Sequence, residues 1–423
     1  MRVGGDLNPQ SKIPMSFRPY APDRDRDAVH RIWTEVGWIE TDDEHRGLDY
    51  FLGDGRILVA DLNGAAECMA ASTPATLRYL DEDLSLAAVT AVLTSRIARK
   101  QGLAKRLTAA LVAAEAADGA LVSGLGMFEQ GFYDQLGFGT GGYEHRVHFD
   151  PAHLTVSRKV RPPRRLTLDD APLMHQAMLN RQRGHGACTL LPESNLRAEL
   201  AWQKNGFGLG YCDGLDGALT HFFWNKARGE HGPDSLILMA YQNGDQFLEL
   251  MALLKALGDQ VRLVMMNEPR DIQFQDLLRQ PFRQRSVTAN SEFGNKCTAT
   301  AWWQMRICDL AGCLAKTHLR SDSVRFNLML HDPIEAHLNA GARWRGLSGR
   351  YVVTLGPTSH AEPGAVAGLP TLTASVGAFT RLWLGVRPAT GLALTDNLSG
   401  PADLLETLNH TLCLPDAKPE WDF

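Results

Sequence analysis

The 423-residue chain carries 43 basic and 48 acidic side chains, a net charge of −5, and is 44% hydrophobic. At roughly 100–200 residues per domain this length implies about three domains, and the balance of hydrophobicity and charge excludes wholesale disorder. No apolar run reaches the ~18 residues of a membrane span, and the slight acidity gives no footing for nucleic acid, so neither partner is expected.

Residues 1–15, with Gly4, Gly5, Pro9 and Pro14, read as a flexible tail, and Met15 offers an alternative start. No basic start leads into an apolar core and a cleavage site, so a cytoplasmic protein without a signal peptide is expected. The seven cysteines are scattered and odd in number, which fits reduced thiols. Cys308 and Cys313 lack a second ligand pair, so no metal is expected.

Residues 56–60 form the first clear strand, and Asn63-Gly64 turns it back into a second at 67–70. Residues 84–93 read as a buried strand. A helix then starts near Gly102, with Leu103, Leu107, Leu111 and Ala114 on one face, and Asp118-Gly119 ends it. A strand at 120–123, a helical turn through 131–138 and a last strand near 143–148 complete a self-contained α+β unit, taken as 16–155. Proline at 151 and at 162–163 marks its end. In 156–299 a strand at 235–241, a turn at Asn243-Gly244, a helix with Phe247, Leu250, Met251 and Leu254, and a strand at 261–266 repeat the same order. Residues 300–423 form a third α+β unit. There 324–330, 351–355 and 371–376 read as half-buried strands, and 379–384 and 402–408 as helices.

The stretch from Val92 to Ala104 carries the chemistry. A strand runs through Val92, Leu93 and Thr94 into a loop with Arg99, Lys100, Gln101 and Gly102, and then into a helix that begins with Leu103 and Ala104. Free backbone N–H groups and the positive end of the helix dipole attract anions at such a place. Gly102 lets the backbone approach a ligand, and Arg99 and Lys100 add positive charge. Some thirty residues on, Phe132-Tyr133 is followed by Gly137-Phe138 after the next strand.

The pair of motifs resembles the GNAT superfamily of N-acetyltransferases. In that family (Gln/Arg)-x-x-Gly-x-(Gly/Ala), here Arg99, Gly102 and Ala104, binds the pyrophosphate of acetyl-coenzyme A. A Phe-Tyr-x-x-x-Gly-Phe element, here Phe132, Tyr133, Gly137 and Phe138, sets a tyrosine beside the thioester. The whole chain, ending in Asp422-Phe423, is similar to the Eis-type (enhanced intracellular survival) acetyltransferases. The resemblance implies tandem GNAT folds, the second degenerate, followed by a sterol-carrier-protein-like α+β domain whose terminus returns to the active site. It also implies acetyl-coenzyme A as co-substrate, an amine acceptor (aminoglycoside, polyamine or lysine-like) and a homo-oligomer, often a hexamer.

On this resemblance Val92, Leu93 and Thr94 pair with the pantetheine arm, and Arg99, Lys100, Gln101, Gly102, Leu103 and Ala104 line the pyrophosphate site. Phe128 lies near the thioester, where the family tends to have a small hydroxyl residue. Tyr133 is the general acid, and the Phe423 carboxylate is the base or amine-orienting group. A terminal carboxylate near ~3.5 and an alkylammonium near ~10.4 differ too much for simple deprotonation, so orienting the amine is the expected role. Trp38, Glu35 and Asp422 are candidate acceptor residues, with Glu40, Asp42 and Asp43 adding acidity beside the aromatic ring. Gln101 stands where a third basic residue is common. The second unit has Gln242-Asn243-Gly244-Asp245 in place of the phosphate loop, so it is expected to bind no cofactor. Two rival readings remain at this level: an inactive or lipid-binding protein, and a transferase using a longer acyl donor.

Overall fold

The computed structural model describes residues 15–127, 129–280, 282 and 290–421. Three sheets organise it. The first is built from β1 (Met15–Pro19), β2 (Arg56–Leu62), β3 (Ala65–Tyr79), β4 (Glu82–Thr94) and β5 (Val122–Gly126), side by side in that order. Asn63 and Gly64 both take positive φ, 57° and 88°, the backbone a two-residue hairpin requires between β2 and β3. Helices α1 (Pro22–Glu35) and α2 (Asp42–Leu52) cover one face, and α3 (Leu103–Ala117) links β4 to β5. The expected face of α3 is the buried one: Leu103, Leu107 and Leu111 are at most 1% exposed. Each such leucine contributes about 1.5–3 kcal/mol through burial.

The sheets cross the unit boundaries expected from the sequence. The first sheet continues through Trp303–Ile307, which pairs antiparallel with β5, to β6 (Gly139–Thr140) beyond it, and Cys188–Leu190 joins it on β3. Strand β7 (Glu144–Phe149) leaves this sheet altogether. It lies in the second one, between Lys296–Thr300 and Val264–Asn267. The unit over 16–155 is therefore not self-contained. The reason is that alternation fixes which face a strand buries, whereas its pairing partner is set by distant chain. Glycines permit the crossing: a Cβ on Gly141 would lie 2.2 Å from the Trp303 ring, and one on Gly139 2.3 Å from the Gly377 carbonyl oxygen.

The second sheet continues through Asp234–Ala240, His221–Lys226, Gly206–Tyr211 and Arg164–Leu166. Asp234–Ala240 and Val264–Asn267 run parallel with the helix Gly244–Ala256 between them. This is the order and sense of β4, α3 and β5. The third sheet comprises His360–Pro363, Gly349–Leu355, Val324–His331, Thr371–Ser375 and Leu398–Ser399. A buried ion pair locks it to the first: Arg306 and Asp332, both fully buried, meet at 2.7 Å. The Tyr79 ring stacks on Trp383 at 4.3 Å, and its hydroxyl donates to the Trp383 carbonyl. Among the described residues no helix is long and apolar enough to cross a membrane.

Candidate active site

Strands β4 and β5 are parallel partners only from Leu86 opposite Val122 to Val89 opposite Leu125. Beyond that they part. Strand β5 ends at Gly126, and the Met127 N–H turns to the Trp302 carbonyl at 2.7 Å. Strand β4 bulges at Ala91, where φ is +50° and the register with β3 slips, and runs on to Thr94. Among the described residues no strand pairs with this edge of 90–94. The gap is a cavity of about 440 Å³, bordered by Val92 and Thr90 on one side, Met127 and Tyr133 on the other, and Arg146 and Thr298 from the second sheet.

The loop from β4 to α3 is a single 3-10 turn, Arg96–Ala98, followed by two left-handed residues, Lys100 at φ +60° and Gly102 at φ +71°. Gly102 is the N-cap of α3, and no side chain caps the helix there. A Cβ on Gly102 would meet nothing within 4 Å, so the demand for glycine is conformational rather than steric. The first-turn N–H groups of α3 thus lack a side-chain acceptor, in reach of exposed Arg99, Lys100 and Gln101. Gln101 Nε2 itself donates to the Ile97 carbonyl at 3.3 Å.

The structure places the remaining candidates unevenly. Val92 borders the cavity, whereas the Leu93 side chain is buried with Trp33 under α1, and Thr94 Oγ1 lies 3.3 Å from Cys68 Sγ. Leu103 is buried beneath α3 and Ala104 packs beside it, so these two anchor the helix. Tyr133 is 3% exposed, packs edge-on to Phe132 at 4.8 Å, and borders the cavity. Burial pushes its phenol up to about 12. Phe128, Asp422 and Phe423 lie outside the described residues. Trp421, just before them, is buried, and the segment leading to it is held by Cys188 N–H on the Pro419 carbonyl at 2.8 Å. Trp38 borders the cavity at 46% exposure.

Glu35 is placed apart from these groups. Its carboxylate accepts the Arg96 N–H at 2.9 Å and so secures the loop before α3. Glu40, Asp42 and Asp43 are exposed. They flank the capping box in which Thr41 and Glu44 exchange hydrogen bonds, so this acidic run starts a helix.

Sequence reasoning missed the groups that the strand crossing delivers: Glu144, Arg146, Asn267, Thr298 and Trp302. No local pattern marks them, since they come together from β7 and three segments over a hundred residues away. Away from the cavity, Asp213, His221 and Glu249 converge, but Arg161 already sits on both carboxylates, at 2.7 and 2.6 Å, and takes the place a cation would fill.

Residues 17–141 match the family model described as the acetyltransferase (GNAT) domain. No curated protein matches the sequence. Among solved structures, a GCN5-related N-acetyltransferase from Anabaena variabilis superposes with a TM-score of 0.76 at 12% identity, over 97% of this chain and 100% of that one. A probable N-acyltransferase from Enterococcus faecalis V583 gives 0.74 at 15%, over 94% and 97%. Eis1 from Mycobacterium abscessus gives 0.73 at 14%, over 97% and 100%. The chain is thus an acyltransferase with a GNAT domain at its amino-terminal end, built on the fold it shares with Eis1.

Proposed function

We propose that this chain transfers an acetyl group from acetyl-coenzyme A to a primary amine, by direct attack of the amine on the thioester. One observation carries the reading. An unpaired β4 edge and a buried tyrosine bound one cleft, and the same strand runs on through one short loop to the uncapped N-terminus of α3. The α3 N–H groups, with Arg99 and Lys100, suit a diphosphate. The edge of 90–94 suits the amides of a pantetheine arm, paired as a strand would be.

The chemistry then follows. The amine nitrogen attacks the carbonyl carbon, the C–S bond breaks, and the sulfur leaves bearing negative charge. Tyr133 holds its proton to about pH 12 and so remains a donor across the working range. A thiol titrates near ~8.5, so complete transfer from the phenol is uphill; the phenol acts by a hydrogen bond that strengthens as the thiolate forms. Holding both reactants in one orientation supplies much of the rest. The Phe423 carboxylate is assigned to orient the incoming ammonium and pass its proton to water, Asp422 and Trp38 flanking the acceptor. Residues 300–423 are read as a sterol-carrier-like unit that frames the site, and the protein as a homo-oligomer, which light scattering checks.

Acetyl-coenzyme A is expected to raise the melting temperature, and amines to release free thiol in its presence. Tyr133→Phe should lower kcat about a hundredfold and leave the acetyl-coenzyme A KM nearly unchanged. Deleting 422–423 should lower turnover with the same KM; turnover at the intact rate would remove the carboxylate from the mechanism.

A further inference from the structure

Next to the Tyr133 cleft lies a second cavity of about 270 Å³, and the two share Trp38 and Thr90 as a common border. Its walls are aromatic. Trp33 and Phe51 come from α1 and α2, Trp202 from the second unit's helix Glu193–Trp202, and Trp421 from the carboxy-terminal segment. Trp202 stacks on Trp33 at 5.6 Å and 29°, and Phe51 lies 5.8 Å from Trp33 and 6.0 Å from Trp202. The indole N–H groups of Trp33 and Trp202 are already used: Trp33 donates to Met69 Sδ and Trp202 to the Glu44 carbonyl, both at 3.2 Å. The polar floor is used as well, because Asn195 Nδ2 donates to Thr73 Oγ1 at 3.0 Å. Glu199 is the ionisable side chain on the border.

Resting on the transferase reading above, we infer that this box selects the acceptor, and that the acceptor is an arylalkyl primary amine. Its ring fills the aromatic box while its amino group reaches past Trp38 toward Tyr133. Flat rings gain from offset and edge contacts with such walls. A polyhydroxylated amine placed there would lose water against the aromatic walls and find few partners in exchange, since Asn195 and Thr73 already satisfy one another.

The test uses the full-length protein with 2-phenylethylamine and tryptamine set against ethanolamine, spermidine and an amino sugar. The aryl amines should show kcat/KM at least tenfold above the others. Trp202→Ala should erase that preference, Trp202→Phe should keep most of it, and neither should move the acetyl-coenzyme A KM. Intrinsic tryptophan fluorescence of the unaltered protein should be quenched by 2-phenylethylamine alone and not by ethanolamine. This readout needs neither turnover nor a substituted chain. Equal kcat/KM for aryl and polyhydroxylated amines would overturn the inference and leave the transferase reading standing. Fluorescence quenching with no amine acetylated would do the reverse.

Discussion

Two helices in this molecule start at equivalent places, each between parallel strands, and their first turns are built oppositely. Before α3 the chain makes an exposed loop with Arg99 and Lys100, and glycine at the N-cap leaves the first N–H groups uncapped. At Gly244–Ala256 the loop has shrunk to a tight turn. Asn243 accepts the Gln246 N–H at 3.0 Å, Gln246 Oε1 accepts the Gln242 N–H at 2.7 Å, and Asp245 puts negative charge in the first turn. The same backbone plan thus yields an anion-seeking end in one copy and a self-satisfied end in the other. On the proposed reading, a handful of side chains at one helix end separates a unit that binds the co-substrate from one that packs.

The largest effect expected from this contrast is at the two glycines. Gly102→Val forces a β-branched residue into a left-handed backbone, at a cost of about 1–2 kcal/mol. It should raise the acetyl-coenzyme A KM at least tenfold. Gly244→Ala, where φ is not positive and a Cβ meets nothing within 4 Å, should leave that KM alone. Equal responses would break the comparison. Next comes charge. Removing Arg99 and Lys100 together should raise KM about two- to thirtyfold, given ~0.2–1 kcal/mol per exposed ion pair, and flatten its dependence on salt. Asn243→Ala should cost about 1 kcal/mol of stability, read as a small fall in melting temperature, with KM unchanged.

The smallest effect is acid sensitivity. Burial, with Lys296 and Arg146 nearby, holds His148 down at about 4, and burial also lowers His30 and His221. Between ~6.5 and about 4 the unfolded chain therefore binds more protons than the folded one. The stability these groups contribute is complete above pH ~6.5 and is lost as pH falls toward 4. Melting temperature should drop over that window, and His148→Gln should shallow the slope. An unchanged slope would show that other groups govern it.

Much of the cleft was legible because its signals are local. Leucines four apart gave α3, Gly102 gave its start, and Phe132-Tyr133 with Gly137-Phe138 gave the turn that presents the phenol. The acidic run after Trp38 misled for an instructive reason. Charge beside an aromatic ring suits a cation, but Thr41-Asp42-Asp43-Glu44 also spells a capping box, and the local use prevailed. Strand β1 went unassigned because five residues closing on Pro19 give too short an alternation. Trp202, Trp421 and Thr298 were beyond reach: side chains that meet only through tertiary packing leave no periodicity in the sequence.

The strand Trp303–Ile307 has a consequence for how this protein is made. It sits inside the first sheet, between β5 and β6, and brings with it Arg306, whose two terminal guanidinium nitrogens are held by Asp332 and the Leu136 carbonyl. A nascent chain stopped anywhere before it leaves one margin of β5 bare, a template for unwanted pairing. The first sheet thus stays incomplete until residues beyond 300 are in place, and a fragment cut after residue 155 keeps that open seam.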